Sequence, residues 1–103
     1  MSDEHQSTRE KLASQIGTAP WSLLEVHAQS DNLILADKAL SLLDVAVAVA
    51  DNETAKVNDW IEKGLLAKPS LKQWTHFQGN HATRFQFIIV HPFVIGQLID
   101  VDF

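Results

Sequence analysis

The chain has 103 residues, 46% of them hydrophobic and 20% charged, and this length fits one domain spanning residues 1–103. It has no cysteine, which excludes disulfides, iron–sulfur clusters and thiolate zinc sites and fits a reducing cytoplasm. The net charge of −5 is uneven: residues 1–63 hold eleven acids against five bases, whereas residues 64–99 hold three bases and no acid. Such asymmetry can mark an electrostatic contact surface.

The amino-terminal third predicts two helices after a short disordered start. The first ten residues carry charges of both signs, so we expect no targeting segment, and residues 1 to about 6 are expected to be disordered. A first helix is predicted over 8–16, with Gly17 as its stop. Pro20 suits a first helical turn, and it predicts a second helix that ends near Gln29.

The middle of the chain predicts a strand followed by two helices. Residues 33–36 form an apolar run too short for a helix, which is typical of a buried strand. Residues 40–50 are ambiguous, because their valines alternate with alanines as in a strand, yet Ser41 with Asp44 forms a capping box and alanine and leucine favour a helix. We interpret this run as a central helix. The next helix is predicted over 53–63.

The last third predicts strands around one short helical turn. Residues 65–68 are predicted as a strand, and Ser70 is predicted to cap the turn that follows. Residues 85–90 give the strongest strand signal, and the apolar run after Pro92 predicts one more extended segment. No run of apolar residues is long enough to span a membrane. We predict Trp60 and Phe87 as anchors of the core.

The order of these elements predicts an α+β domain with a winged-helix-like core, in which helices are followed by a short antiparallel sheet. Under this interpretation, 53–63 is the helix that would enter a nucleic-acid groove. Its exposed positions carry three acids against two bases, and carboxylates facing phosphate oppose binding. Groove insertion is therefore disfavoured, and protein contacts or dimerisation are the preferred use of the fold.

A basic aromatic segment follows the predicted helix over 53–63. Its members Lys68, Lys72, Trp74 and Arg84 form a possible contact surface for nucleic acid or for a protein partner, by phosphate pairing and base stacking. The alternative is that Trp74 and Phe77 close the core while the charges are solvated.

No catalytic or metal site emerges from residue spacing. His76, His81 and His91 share the carboxyl-terminal part, but their gaps of five and ten residues match no common zinc pattern. The four glycines are scattered and form no phosphate loop. We therefore predict no metal, no cofactor and no catalytic residue, and enzymatic activity is disfavoured.

Several short motifs occur together along the chain. They are Pro20-Trp21 with Leu24, the runs 42–46 and 57–60, Gly64-Leu65-Leu66, and residues 90–94 with Gln97. Together they resemble a family of short bacterial proteins catalogued only as a domain of unknown function, over about residues 20–97. The resemblance implies no activity, ligand or site residue.

The sequence therefore predicts a small cytoplasmic, non-catalytic protein-interaction or dimerisation module with a winged-helix-like core, which binds a protein partner or a second copy of the chain. The alternative is a nucleic-acid-binding transcription regulator that uses the basic segment rather than the acidic helix.

Overall fold

The computed structural model describes residues 8–79 and 83–99, so the disorder expected for residues 1–6 lies outside the described residues. In chain order the described part contains α1 (Thr8–Ala13), β1 (Gly17–Pro20), α2 (Trp21–Gln29), β2 (Leu33–Ala36), α3 (Leu42–Ala50), α4 (Thr54–Glu62), β3 (Leu66–Ala67), α5 (Leu71–Gln78), β4 (Arg84–Val90) and β5 (Phe93–Leu98). Within these ranges, no helix is both long and apolar enough to cross a bilayer.

The five strands form one mixed sheet in the order β1-β4-β5-β2-β3. β4 and β5 are an antiparallel hairpin closed by His91 and Pro92, and their peptide bond is cis. β2 pairs in parallel with β5, with Leu33 opposite Val94. β1 is antiparallel to β4, so it runs in the same direction as β5 and β2. Three strands of the sheet therefore end at the same edge.

Helices cover both faces of this sheet. The aromatic face is covered by α2 and α5, and its buried residues are Trp21, Leu24, Leu33, Phe77, Phe85 and Val94. The aliphatic face is covered mainly by α1 and α3, and its buried residues are Leu12, Ala36, Leu42, Val45, Ala46, Leu66, Ile88 and Ile95. Because successive side chains of a strand alternate in direction, β4 sends Phe85 to one face and Ile88 to the other.

The α+β class is confirmed, as are the strand at 33–36 and the helices within 40–50 and 53–63. The expectation of a short antiparallel sheet that follows the helices is wrong, because strands and helices alternate and β2 pairs in parallel with β5. β1 was missed because only Ala19 among its four residues is buried, which leaves no alternating apolar pattern. The winged-helix-like core is not confirmed.

The first helix is shorter than predicted, and the fifth is longer. α1 ends at Ala13 rather than near residue 16, and the segment after it enters β1 directly. Ser70 caps α5 as predicted: its hydroxyl accepts from the Gln73 N–H at 3.1 Å, while the Gln73 side chain accepts from the Ser70 N–H at 2.9 Å. This reciprocal cap starts a helix of eight residues, not the short turn that we expected.

The core anchors also differ from the prediction. Trp60 and Phe87 are only half-buried and pack against the edges of the aliphatic and aromatic faces. Lys56 lies over the Trp60 ring at 5.9 Å from its centroid, on the solvent side of α4. The fully buried residues of β4 are instead Phe85 and Ile88, since helices cover this strand on both faces.

Candidate functional site

α5 lies at the centre of the segment that the sequence singled out, and two of its sides contact the rest of the protein. Trp74 and Gln78, four residues apart, both donate hydrogen bonds to the carboxylate of Glu25 on α2, and the bond from Trp74 Nε1 is 2.7 Å long. Gln73 and Phe77, also four residues apart, line a cavity on the aromatic face. The spacing of four residues places each pair on one side of the helix.

The aromatic rings beneath α5 form a continuous cluster. Trp21 meets Trp74 edge-on with ring centroids 5.9 Å apart, and it meets Phe77 at 5.1 Å. Phe77 in turn meets Phe85 edge-on at 5.1 Å. These are favourable geometries for aromatic pairs, which are worth about 0.5–1.5 kcal/mol each beyond their burial. Trp21 Nε1 is buried and has no hydrogen-bond acceptor among the described residues.

Trp74 and Lys68, two of the four predicted contact residues, are engaged within the protein. Trp74 is half-buried between Trp21 and Glu25, so its ring and its N–H are both occupied. Lys68 Nζ lies 2.8 Å from a carboxylate oxygen of Asp31, and both side chains are largely exposed. This ion pair offsets the charge of Lys68 at the surface.

Lys72 and Arg84, the other two, are exposed and form no ion pair with any residue in the described ranges. Lys72 lies on α5, and Arg84 is the first residue of β4. His76 is exposed on α5 and His91 is exposed in the hairpin turn, whereas His81 lies outside the described residues. No group of three potential metal ligands comes together among residues 8–79 and 83–99.

On α4, the helix that would enter a nucleic-acid groove, basic side chains form ion pairs with acidic side chains of the same segment. Lys63 Nζ lies 3.0 Å from Asp59, and Lys56 Nζ lies 3.8 Å from Glu53. Glu62 is also exposed on this helix. The bases are therefore partly neutralised by neighbouring carboxylates, and the surface has no excess positive charge to attract phosphate.

Exposed apolar side chains lie on the helices of the aromatic face, and sequence reasoning missed them. Leu23 and Val26 on α2 are 61% and 60% exposed, and Leu71 on α5 is 82% exposed. Trp21, Leu24 and Ala28 form the apolar stripe of α2 that packs on the aromatic face. Leu23 and Val26 fall on the opposite side of the helix. Apolar residues outside the buried stripe were the sequence signal that could have indicated this exposed surface.

A cavity of about 310 Å³ opens between α5 and the sheet. Leu35, Phe77, Phe85 and Leu98 form its apolar lining, and Asp37, Lys38 and Gln73 add polar groups. No sequence pattern indicates this cavity, because its lining comes from four strands, one helix and two loops that are distant along the chain.

These features define a small α+β domain with a mixed sheet covered on both faces. The chain belongs to the family described as "Protein of unknown function (DUF2288)", whose model matches residues 7–98. This membership confirms the resemblance to a domain of unknown function. No curated protein matches the chain.

A solved structure shares this fold. It is the NMR solution structure of PA1075 from Pseudomonas aeruginosa, which is 25% identical in sequence and aligns with a TM-score of 0.78. The alignment covers 98% of this chain and 89% of that one. The likeness extends over nearly the whole domain, so the architecture described above is shared by both proteins.

Proposed function

We propose that this protein is a cytoplasmic, non-catalytic interaction module that associates with a second copy of itself through the outward side of α2. The observation that supports this most directly is the pair Leu23 and Val26, three residues apart on one side of the helix and both about three-fifths exposed. Exposed apolar side chains that adjoin one another are a common mark of protein contact surfaces.

The charge of this surface favours a second copy as the partner. The exposed residues of α2 are Ser22, Leu23, Val26 and Gln29, and none of them is charged. The protein as a whole carries a net charge of −5, so two copies repel one another over most approaches. An uncharged apolar side avoids this repulsion, and a twofold contact would pair α2 with its own copy.

Sedimentation velocity over a wide concentration range tests the proposal. Wild-type protein is expected to sediment as a dimer of the 11.5 kDa chain at high micromolar concentration. Leu23→Glu would place one carboxylate from each copy in the contact, so this variant is expected to remain monomeric. Ile61→Glu is the matched control, because Ile61 is 52% exposed on the charged helix α4. A monomeric wild type, or equal dissociation of both variants, would show the proposal to be wrong.

Nucleic-acid binding through the basic segment is the second candidate. It is supported by Lys72 and Arg84, which are exposed and make no ion pairs in the described part of the chain. Anisotropy of a labelled DNA duplex at low salt distinguishes the two functions, because phosphate contacts are strongest there. Salt-sensitive binding that is lost in a Lys72→Ala, Arg84→Ala variant, and kept in Lys63→Ala, would favour this candidate.

A further inference from the structure

The cavity beside α5 lies where the parallel strands of the sheet end. Leu35 and Ala36 are the last residues of β2, and Leu98 is the last residue of β5. In open sheets that contain parallel strands, ligands commonly bind just outside the carboxyl ends of those strands.

The interior of the cavity suits a small apolar group. Phe77 and Phe85, which contact each other edge-on and are almost fully buried, form one rigid aromatic part of the lining. Leu98 is 44% exposed although it ends a strand of the central hairpin, and its side chain contributes to the lining. A volume of about 310 Å³ is at the lower end of small-molecule sites, which span roughly 300–1,000 Å³. A single ring or a branched aliphatic chain is the size that fits.

One polar group of the lining, Asp37, is held rigidly. Its N–H donates to the Leu65 carbonyl at 2.8 Å, and its carbonyl accepts from Gln97 Nε2 at 3.0 Å. Its carboxylate oxygen Oδ1 accepts from the Ala39 N–H at 2.8 Å. The second oxygen, Oδ2, has no partner among the described residues. A carboxylate fixed in this way is a preorganised acceptor for a cationic group.

Gln73 supplies the complementary donor. Its Oε1 accepts from the Ser70 N–H in the cap of α5, which fixes the amide and leaves both Nε2 protons without an acceptor in the described ranges. The lining therefore combines an anionic acceptor with an amide donor and an apolar interior.

We propose that this cavity binds a free apolar α-amino acid or a close zwitterionic relative. The ammonium group would donate to Asp37, the carboxylate would accept from Gln73 Nε2, and the side chain would lie against Leu35, Phe77 and Leu98 of the lining. The ammonium of such a ligand complements the Asp37 carboxylate, and its carboxylate complements the amide donor of Gln73. This site is separate from the outward side of α2, so it does not depend on the proposed self-association.

Amide chemical shifts of the full chain, titrated with three probes, test the assignment. L-phenylalanine carries both charges, phenethylamine only the cation, and 3-phenylpropionate only the anion. L-phenylalanine is expected to shift the amides of residues lining the cavity with a Kd on the order of 1 mM or tighter, and to bind more tightly than either probe with one charge. Equal binding of all three probes, or no shift with any of them, would overturn the proposal.

Two variants link the binding to the cavity. Asp37→Asn keeps an oxygen for the Ala39 N–H but removes the charge, so the affinity for L-phenylalanine is expected to fall about tenfold or more. Asp59→Asn, on α4, is the matched control and is expected to leave the affinity unchanged. Unchanged affinity in Asp37→Asn would contradict the proposal.

Discussion

Trp74 and Glu25 are joined by a hydrogen bond of 2.7 Å, from the indole Nε1 to a carboxylate oxygen, across 49 residues of sequence. The same carboxylate accepts from Gln78, so one side chain of α2 holds two successive turns of α5. This contact positions the helix that carries Phe77 over the sheet. Phe77 lines the cavity between α5 and the sheet, called the α5 cavity below.

Loss of the acceptor at Glu25 is predicted to destabilise the fold. Glu25→Ala leaves the half-buried indole N–H unpaired, which is expected to cost about 1–3 kcal/mol. Glu25→Gln retains an oxygen that can accept from Trp74, so it is expected to cost less. Urea unfolding followed by tryptophan fluorescence measures both. Equal stability of the two variants would show that the hydrogen bond contributes little.

The case of Trp74 shows what could be predicted from the sequence and what could not. Its aromatic side chain, like that of Phe77, indicated a possible role in closing the core, and the predicted cap at Ser70 marked where the helical segment starts. The acceptor lies on another helix, and nothing local identifies Glu25 among thirteen acids. Local patterns therefore predicted where the helical segment begins, whereas its length and the partner of Trp74 depend on the tertiary fold.

The sheet shows the same limit. β2 and the β4–β5 hairpin are marked by runs of β-branched and apolar residues. The pairing of β2 with β5 brings together residues about 60 positions apart, and strand direction leaves no signature in such short runs. The α5 cavity depends on this pairing, so the sequence could not indicate it.

Replacement of the two phenylalanines on the aromatic face of β4 is predicted to give unequal losses. Phe85 is fully buried against Trp21 and Phe77, so Phe85→Ala is expected to cost about 3–5 kcal/mol. Phe87 is half-buried, and Phe87→Ala is expected to cost distinctly less. Chemical denaturation of both variants measures the difference. A larger loss of stability in Phe87→Ala would favour Phe87 as the core anchor and contradict the packing described here.

Two glycines at helix ends are predicted to respond differently to alanine. Gly64 has φ of +76°, and an added Cβ would meet no atom within 4 Å, so Gly64→Ala is expected to cost about 1–2 kcal/mol through backbone strain alone. Gly79 has φ of −86°, with its nearest contact at 3.7 Å, so Gly79→Ala is the control and is expected to be neutral or slightly stabilising. Thermal unfolding of the two variants measures their stability. Equal losses in the two variants would contradict this prediction.

Gln97 is predicted to couple stability to the shape of the α5 cavity. It is the buried polar residue of β5, and its Nε2 donates to the carbonyls of Leu40 at 2.6 Å and Asp37 at 3.0 Å. Gln97→Leu has a similar size but no polar atoms, so the carbonyls of Leu40 and Asp37 lose this donor. Gln86 Nε2 on β4 loses its acceptor as well, but the backbone bonds of the hairpin remain. We expect a loss of about 1–3 kcal/mol. We also expect amide-exchange protection to fall at Leu40, whose N–H donates to Asp37, before it falls in the β4–β5 hairpin. Protection that falls equally in both places would mean that Gln97 stabilises the whole sheet and does not hold the segment 37–40 in particular.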